Sequence, residues 1–129
     1  MNAYVDHVSL NVSDLAKSKP FYDSLLTYLG FEPHAGDGWT NDKNGIWINQ
    51  ADNEHRTVPH DRKNIGITHL AFRLDTKLAV DEFYEQFLLP NKITVLYGGP
   101  KEYPQYTTGY YAVFFEDPDG FKLEAVYLP

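Results

Sequence analysis

Cysteine is absent from this chain of 129 residues. A disulfide framework, a thiolate zinc site and a cysteine nucleophile are all excluded with it. Runs of Lys or Arg are missing too, and acidic residues outnumber basic ones 18 to 11, for a net charge of −7. The chain therefore lacks the electrostatic footprint that a nucleic-acid backbone or an anionic membrane surface would need. No stretch approaches the roughly 18 consecutive apolar residues of a transmembrane helix. The first fifteen residues carry Asp6 and Asp14 and no positive charge, so a secretory n-region is not expected and the cytoplasm is the expected compartment. Nucleic acid and membrane are both excluded as expected partners.

What is present is a globular composition, 43% apolar and 22% charged. Aromatics reach 16%, with 10 Tyr, 8 Phe and 2 Trp, which suits a wide core or an aromatic-walled pocket. The length fits one ordinary domain, or two small modules sharing a core. Any bound metal must be held by His, Asp, Glu or Asn.

The chain repeats itself. His7-Val-Ser-Leu-Asn-Val12 lies over His69-Leu-Ala-Phe-Arg-Leu74 at a spacing of 62 residues (69 − 7). The same spacing places Phe21-Tyr22 over Phe83-Tyr84 and Leu26 over Leu88. Two copies of one unit follow, about 1–62 and 63–129. Each opens with a strand: Val8, Leu10 and Val12 face one way, as do Leu70, Phe72 and Leu74. A helix follows in each, with stripes Phe21-Tyr22-Leu25-Leu26-Leu29 and Val80-Phe83-Tyr84-Phe87-Leu88. Gly30 and Pro90 are placed to stop them, and Pro20 belongs in or near the first turns of its helix. Antiparallel strands close each copy, with a hairpin turn expected at Asn44-Gly45 and another at Asp117-Pro-Asp-Gly120. Ala51–Lys63 reads as a linker and Tyr97–Thr108 as a long loop.

His7 and His69 occupy equivalent places on equivalent strands, each opposite the helix-packing face. Glu124 shares the polar face of the last strand with Lys122 and Val126. If the copies pack with twofold pseudosymmetry, the two histidines and Glu124 form a two-His, one-carboxylate set, suited to a divalent ion with open positions. Two neutral imidazoles and one carboxylate would leave such an ion a net charge of +1, still an electrophile. A single strand histidine is more often simply solvated, and it is the repetition that lifts these two above that reading.

These motifs together, ending in Phe-Phe-Glu-Asp117-Pro-Asp-Gly120-Phe-Lys-Leu-Glu124, resemble the vicinal oxygen chelate superfamily. That group includes glyoxalase I, fosfomycin-resistance proteins, extradiol dioxygenases and bleomycin-resistance proteins, and this chain looks most like its small glyoxalase-like members. The resemblance covers the whole chain. It implies a single α+β domain of two tandem βαβββ modules, a curled mixed sheet around a cleft with helices outside. It also implies His7, His69 and Glu124 as ligands of one divalent ion (Zn, Ni, Mn, Fe or Co), a small-molecule substrate and a homodimer. The cleft could form within one chain or across two.

Some departures matter for the reaction. Counting from the turn glycines, Asn49 stands where glyoxalase I-like enzymes carry a second Glu, which serves as ligand and base. Asn49 could be a weak fourth ligand or a substrate contact but cannot accept a proton. Phe114 stands where extradiol and fosfomycin enzymes carry a cleft Tyr, although Tyr110 shares its face. Trp47 is a candidate cleft wall, and Arg73 and Lys122 are candidates for an anionic substrate group or for surface ion pairs. The expected function is a metal-dependent lyase or isomerase, dioxygenase or transferase that chelates a small oxygenated substrate and stabilises an enolate or oxyanion. The alternative is bleomycin-resistance-like sequestration without chemistry. No catalytic residue beyond the ligands is singled out.

Overall fold

The computed structural model describes every residue, 1–129. The chain divides into two compact units, Met1–Pro59 and His60–Pro129. Each holds one four-stranded mixed sheet, so the strands form two separate sheets, and the architecture is α+β with two tandem βαβββ modules.

In the first unit β1 (His7–Val12), α1 (Leu15–Tyr28), β2 (Glu32–His34), β3 (Gly38–Thr40) and β4 (Gly45–Gln50) give the sheet order β1-β4-β3-β2. The second runs β5 (Leu70–Arg73), α2 (Lys77–Phe83), β6 (Val95–Glu102), β7 (Tyr111–Glu116) and β8 (Lys122–Tyr127), in the order β5-β8-β7-β6. First and last strands pair in parallel in both units, and the remaining pairs are antiparallel. The repeat extends to the caps. Asp14 accepts from the Lys17 amide and Thr76 from the Ala79 amide, each pair again 62 residues apart (76 − 14), satisfying amides that a helix start leaves unpaired. Pro20 sits in the second turn of α1, and Gly30 ends that helix with φ +84°. After α2 the chain widens into a π-helical turn, Tyr84–Leu88, just before Pro90.

The alternation of each strand decides its faces. Tyr22, Leu25 and Leu26 of α1 are buried with Val12, Trp39, Ile46 and Ile48, and the Trp39 indole N–H donates to Asp23. In the second unit Val80, Phe83 and Leu88 are buried with Val113, Phe115, Leu123 and Ala125. The Tyr111 hydroxyl ties β7 to α2 by donating to Asp81 at 2.6 Å, which pushes its pKa up to about 12.

Two local expectations fail for physical reasons. The β3–β4 hairpin does not turn at Asn44-Gly45. Thr40 pairs with Gly45, the loop is Asn41–Asn44, and Asn41 caps it by accepting from the amides of Lys43 and Asn44. Gly45 lies in the strand because the Trp47 ring covers it: a Cβ there would stand 2.1 Å from the ring, and one at Gly38, directly opposite Trp47, 2.2 Å. Gly45→Ala should therefore cost about 1–3 kcal/mol of stability by overpacking. In a Trp47→Ala background that loss should largely vanish in urea unfolding, and an equal loss in both backgrounds would contradict the account.

The second failure is the long loop expected over Tyr97–Thr108. Its first half is β6, an edge strand interrupted by a wide bulge: Leu96 pairs with Phe114 and Lys101 with Ala112, so five steps on β6 answer to two on β7. Gly98-Gly99-Pro100 reads as a breaker in sequence, but an edge strand tolerates such residues at a bulge.

Candidate functional site

In the second unit β8 lies between β5 and β7, and one face of this sheet carries Lys122, Glu124 and Val126. Ala71 pairs with Glu124 from one side and Phe114 from the other. Above this face sits a small apolar cluster of Tyr103, Ala112, Phe114 and Val126, flanked by Leu96, Tyr110 and Leu128. Glu124 is fully buried beneath it. A carboxylate in that position needs partners. It has one firm hydrogen bond, from the Tyr110 hydroxyl to Oε1. Burial first, and then this bond, push the Tyr110 phenol well above its ordinary range, so it remains a donor at all working pH.

The other carboxylate oxygen, Oε2, lies 2.9 Å from His69 Nε2, yet it makes no hydrogen bond. His69 is one-third exposed, its ring edge-on to Phe114 at 5.9 Å, and its Nδ1 contacts Thr68 Oγ1 at 3.1 Å. The Tyr103 hydroxyl nearby is also buried without a partner.

His7 belongs to the first unit, at the start of β1. It is exposed, with Nδ1 2.8 Å from Asp6 Oδ2 and its ring edge-on to Trp47. In both repeats, then, the residue just before the histidine engages Nδ1, which leaves Nε2 as the presented nitrogen. Neither unit by itself gathers three His, Asp or Glu side chains around one point.

The remaining candidates divide. Trp47 lies on the face shared with His7 and Asn49, its ring also edge-on to His34. The Asn49 amide donates to Ser9 Oγ at 2.6 Å. The ladders, however, give Asn49 a different place from the glycine count. Ser9 pairs with Trp47 as its repeat mate Ala71 pairs with Glu124, so Trp47 holds the ladder position equivalent to Glu124 and Asn49 lies two residues beyond. The glycines mislead because Gly120 is a turn residue with φ +76° whereas Gly45 is a strand residue. Arg73 donates to the Leu128 carbonyl at 2.8 Å. Lys122 pairs with no carboxylate. Its Nζ donates to the Tyr97 hydroxyl at 3.2 Å and sits 4.4 Å from the Phe114 ring centre. Sequence reasoning missed Tyr97, whose only signal was the Gly-Gly that follows it.

No helix is long and apolar enough to cross a membrane. Residues 4–125 match the profile of the glyoxalase/bleomycin resistance protein/dioxygenase superfamily. YqjT, an uncharacterized protein of Bacillus subtilis, is 36% identical over 124 residues, covering 93% of this chain and 95% of the relative. The metallothiol transferase FosB of Staphylococcus saprophyticus is 29% identical, over 93% of this chain and 74% of its own. Among solved structures, a candidate glyoxalase from Bacillus halodurans superposes with a TM-score of 0.84 at 31% identity, covering 96% and 95% of the two chains. The chain belongs to the glyoxalase/bleomycin resistance protein/dioxygenase superfamily.

Proposed function

We propose that this protein is a divalent-metal-dependent enzyme of its superfamily, with His7, His69 and Glu124 as ligands and a small substrate presenting two neighbouring oxygens. The observation that carries this reading is the pair His69–Glu124. A buried carboxylate oxygen without a hydrogen bond stands 2.9 Å from an imidazole nitrogen. An imidazole nitrogen and a carboxylate oxygen are both donors that divalent transition-metal ions take, so His69 and Glu124 would fit as ligands of one ion. A divalent ion bound there would supply Lewis acidity suited to stabilising an enolate or oxyanion.

The chain's own residues do the rest. Asp6 and Thr68 hold the two imidazoles through Nδ1, and Tyr110 fixes the Glu124 carboxylate, as outer partners of metal ligands do. Trp47 and Phe114 offer apolar walls, and Asn49 a polar contact, for the substrate. Asn49 and Trp47 provide no base, so this reading assigns the chain a reaction other than one needing a second Glu. On the same reading the two modules act as one domain, in a cytoplasmic homodimer, and the relatives named as metallothiol transferases favour group transfer to the substrate.

Elemental analysis of protein purified without added metal tests this. About one equivalent per chain is expected, lost in His7→Ala and in His69→Ala. At about 100 times the dissociation constant the ion should stabilise the wild type by about 2.7 kcal/mol. No metal, together with no thermal shift from Mn, Zn, Ni, Co or Fe ions, would overturn the reading in favour of sequestration.

A further inference from the structure

Tyr97 is held in a conformation that side chains rarely adopt. Its φ is +58°, followed by Gly98 at +87° and Gly99 at +98°, all within the bulge of β6. Left-handed backbone at a bulky residue is disfavoured, so something must repay it locally. The bulge sets the Tyr97 ring edge-on to Phe114 at 5.5 Å, and its hydroxyl accepts from Lys122 Nζ. The ammonium sits between two rings, 4.9 Å from the centre of Tyr97 and 4.4 Å from that of Phe114.

This is a cation fixed in place and left without an anion. No carboxylate pairs with Lys122, although the chain carries 18 acidic residues. Arg62, itself 3.5 Å from Glu116, adds positive potential at the Tyr97 hydroxyl. The hydrogen bond from Lys122, more than any other influence, lowers the Tyr97 pKa. Tyr97 is half exposed, so the group is open to solutes. Phe114 is the common wall: it also lies beside Glu124, across the ladder, and the His69 ring.

We propose that Lys122 and Tyr97 form an oxyanion subsite that takes the carboxylate, phosphate or phosphonate group of the substrate. An ammonium has three donors and spends one on Tyr97, which can pass its own proton into a bond with the anion. Because the rings already immobilise Lys122, binding sacrifices little side-chain freedom. That the bound anion belongs to the substrate rests on the metal-centre reading above; the anion site itself does not.

The test uses the full metal-free chain and follows backbone amides by NMR while inorganic phosphate or acetate is added. Saturable shifts are expected at Tyr97, Phe114 and Lys122, and the stronger of the two probes identifies the class of anion. Lys122→Met should weaken binding about tenfold or more, as loss of a charge-assisted bond does, and Tyr97→Phe by a smaller factor. Lys17→Met, a change on α1 of the first unit, should leave binding unchanged. Absence of saturable shifts, shifts elsewhere in the chain, or unchanged binding in Lys122→Met would each overturn the proposal. The location of the wild-type shifts decides even if Lys122→Met does not fold. Phosphate binding that appears only with added Zn and is lost in His69→Ala would also overturn it, because the ion would then be the receptor. Metal-free binding at these three residues by a protein that retains no metal would leave the subsite standing and defeat only the metal-centre reading.

Discussion

Glu124→Gln should lower metal affinity by about three orders of magnitude or more while leaving the metal-free protein as stable as the wild type. The substitution keeps the shape of the side chain and removes its charge, and a hard divalent ion strongly prefers the carboxylate. The stability half of the prediction is the discriminating one. If Glu124 and His69 were a structural ion pair, removing one buried charge would cost about 3–5 kcal/mol in the absence of metal. If instead Oε2 awaits an ion, as its missing hydrogen bond suggests, then the metal-free protein carries an incompletely satisfied carboxylate. Neutralising it would then cost nothing and could stabilise. Equilibrium dialysis against the metal, paired with urea unfolding of the metal-free proteins, separates the two. Retained metal, or a large loss of metal-free stability, would refute the ligand assignment. Tyr110→Phe should act more mildly, about 10–100-fold on affinity, because it frees a ligand's orientation and leaves its charge.

Phe83→Ala should cost about 3–5 kcal/mol of stability, a large share of the 5–15 kcal/mol typical of a domain. Phe83 is 1% exposed, stacked on Phe87 at 5.4 Å and tilted against Phe115 of β7 at the same distance. Deleting the ring leaves a cavity beside the Phe87 and Phe115 rings. Urea unfolding should show the midpoint fall, with Phe83→Leu recovering most of it. A loss below about 1 kcal/mol would mean that the α2 stack does not anchor the second unit.

The repeat was readable because it is written in local patterns: alternation in β1 and β5, helical stripes in α1 and α2, and Asp14 and Thr76 at matching starts. Face alternation, joined to an assumed twofold packing of the repeats, brings His69 and Glu124 into one set; it puts Tyr110 on the face of Phe114 but does not foresee its bond to Glu124. What the sequence concealed depends on neighbours far along the chain. Gly45 looks like half of a turn until Trp47 is seen lying across Gly45 and Gly38 together. Gly98-Gly99 looks like a loop until β7 supplies the strand against which it bulges, and Tyr97 goes unnoticed for the same reason. Asn49 gained its place from a glycine count that the ladders shift by two residues, a displacement that keeps the face and changes the depth.

The position of β8 has a bearing on how the protein is made. Lys122–Tyr127 is synthesised after β5, β6 and β7, yet it fills an interior slot between β5 and β7. Until β8 emerges, β5 and β7 present unpaired edges to each other in the second unit. Such long-range pairing is slow, and its exposed edges invite wrong partners in the meantime. Because Glu124 travels on that strand, a nascent chain that still lacks β8 cannot assemble the His69–Glu124 pair, and no metal can be captured there before β8 is in place.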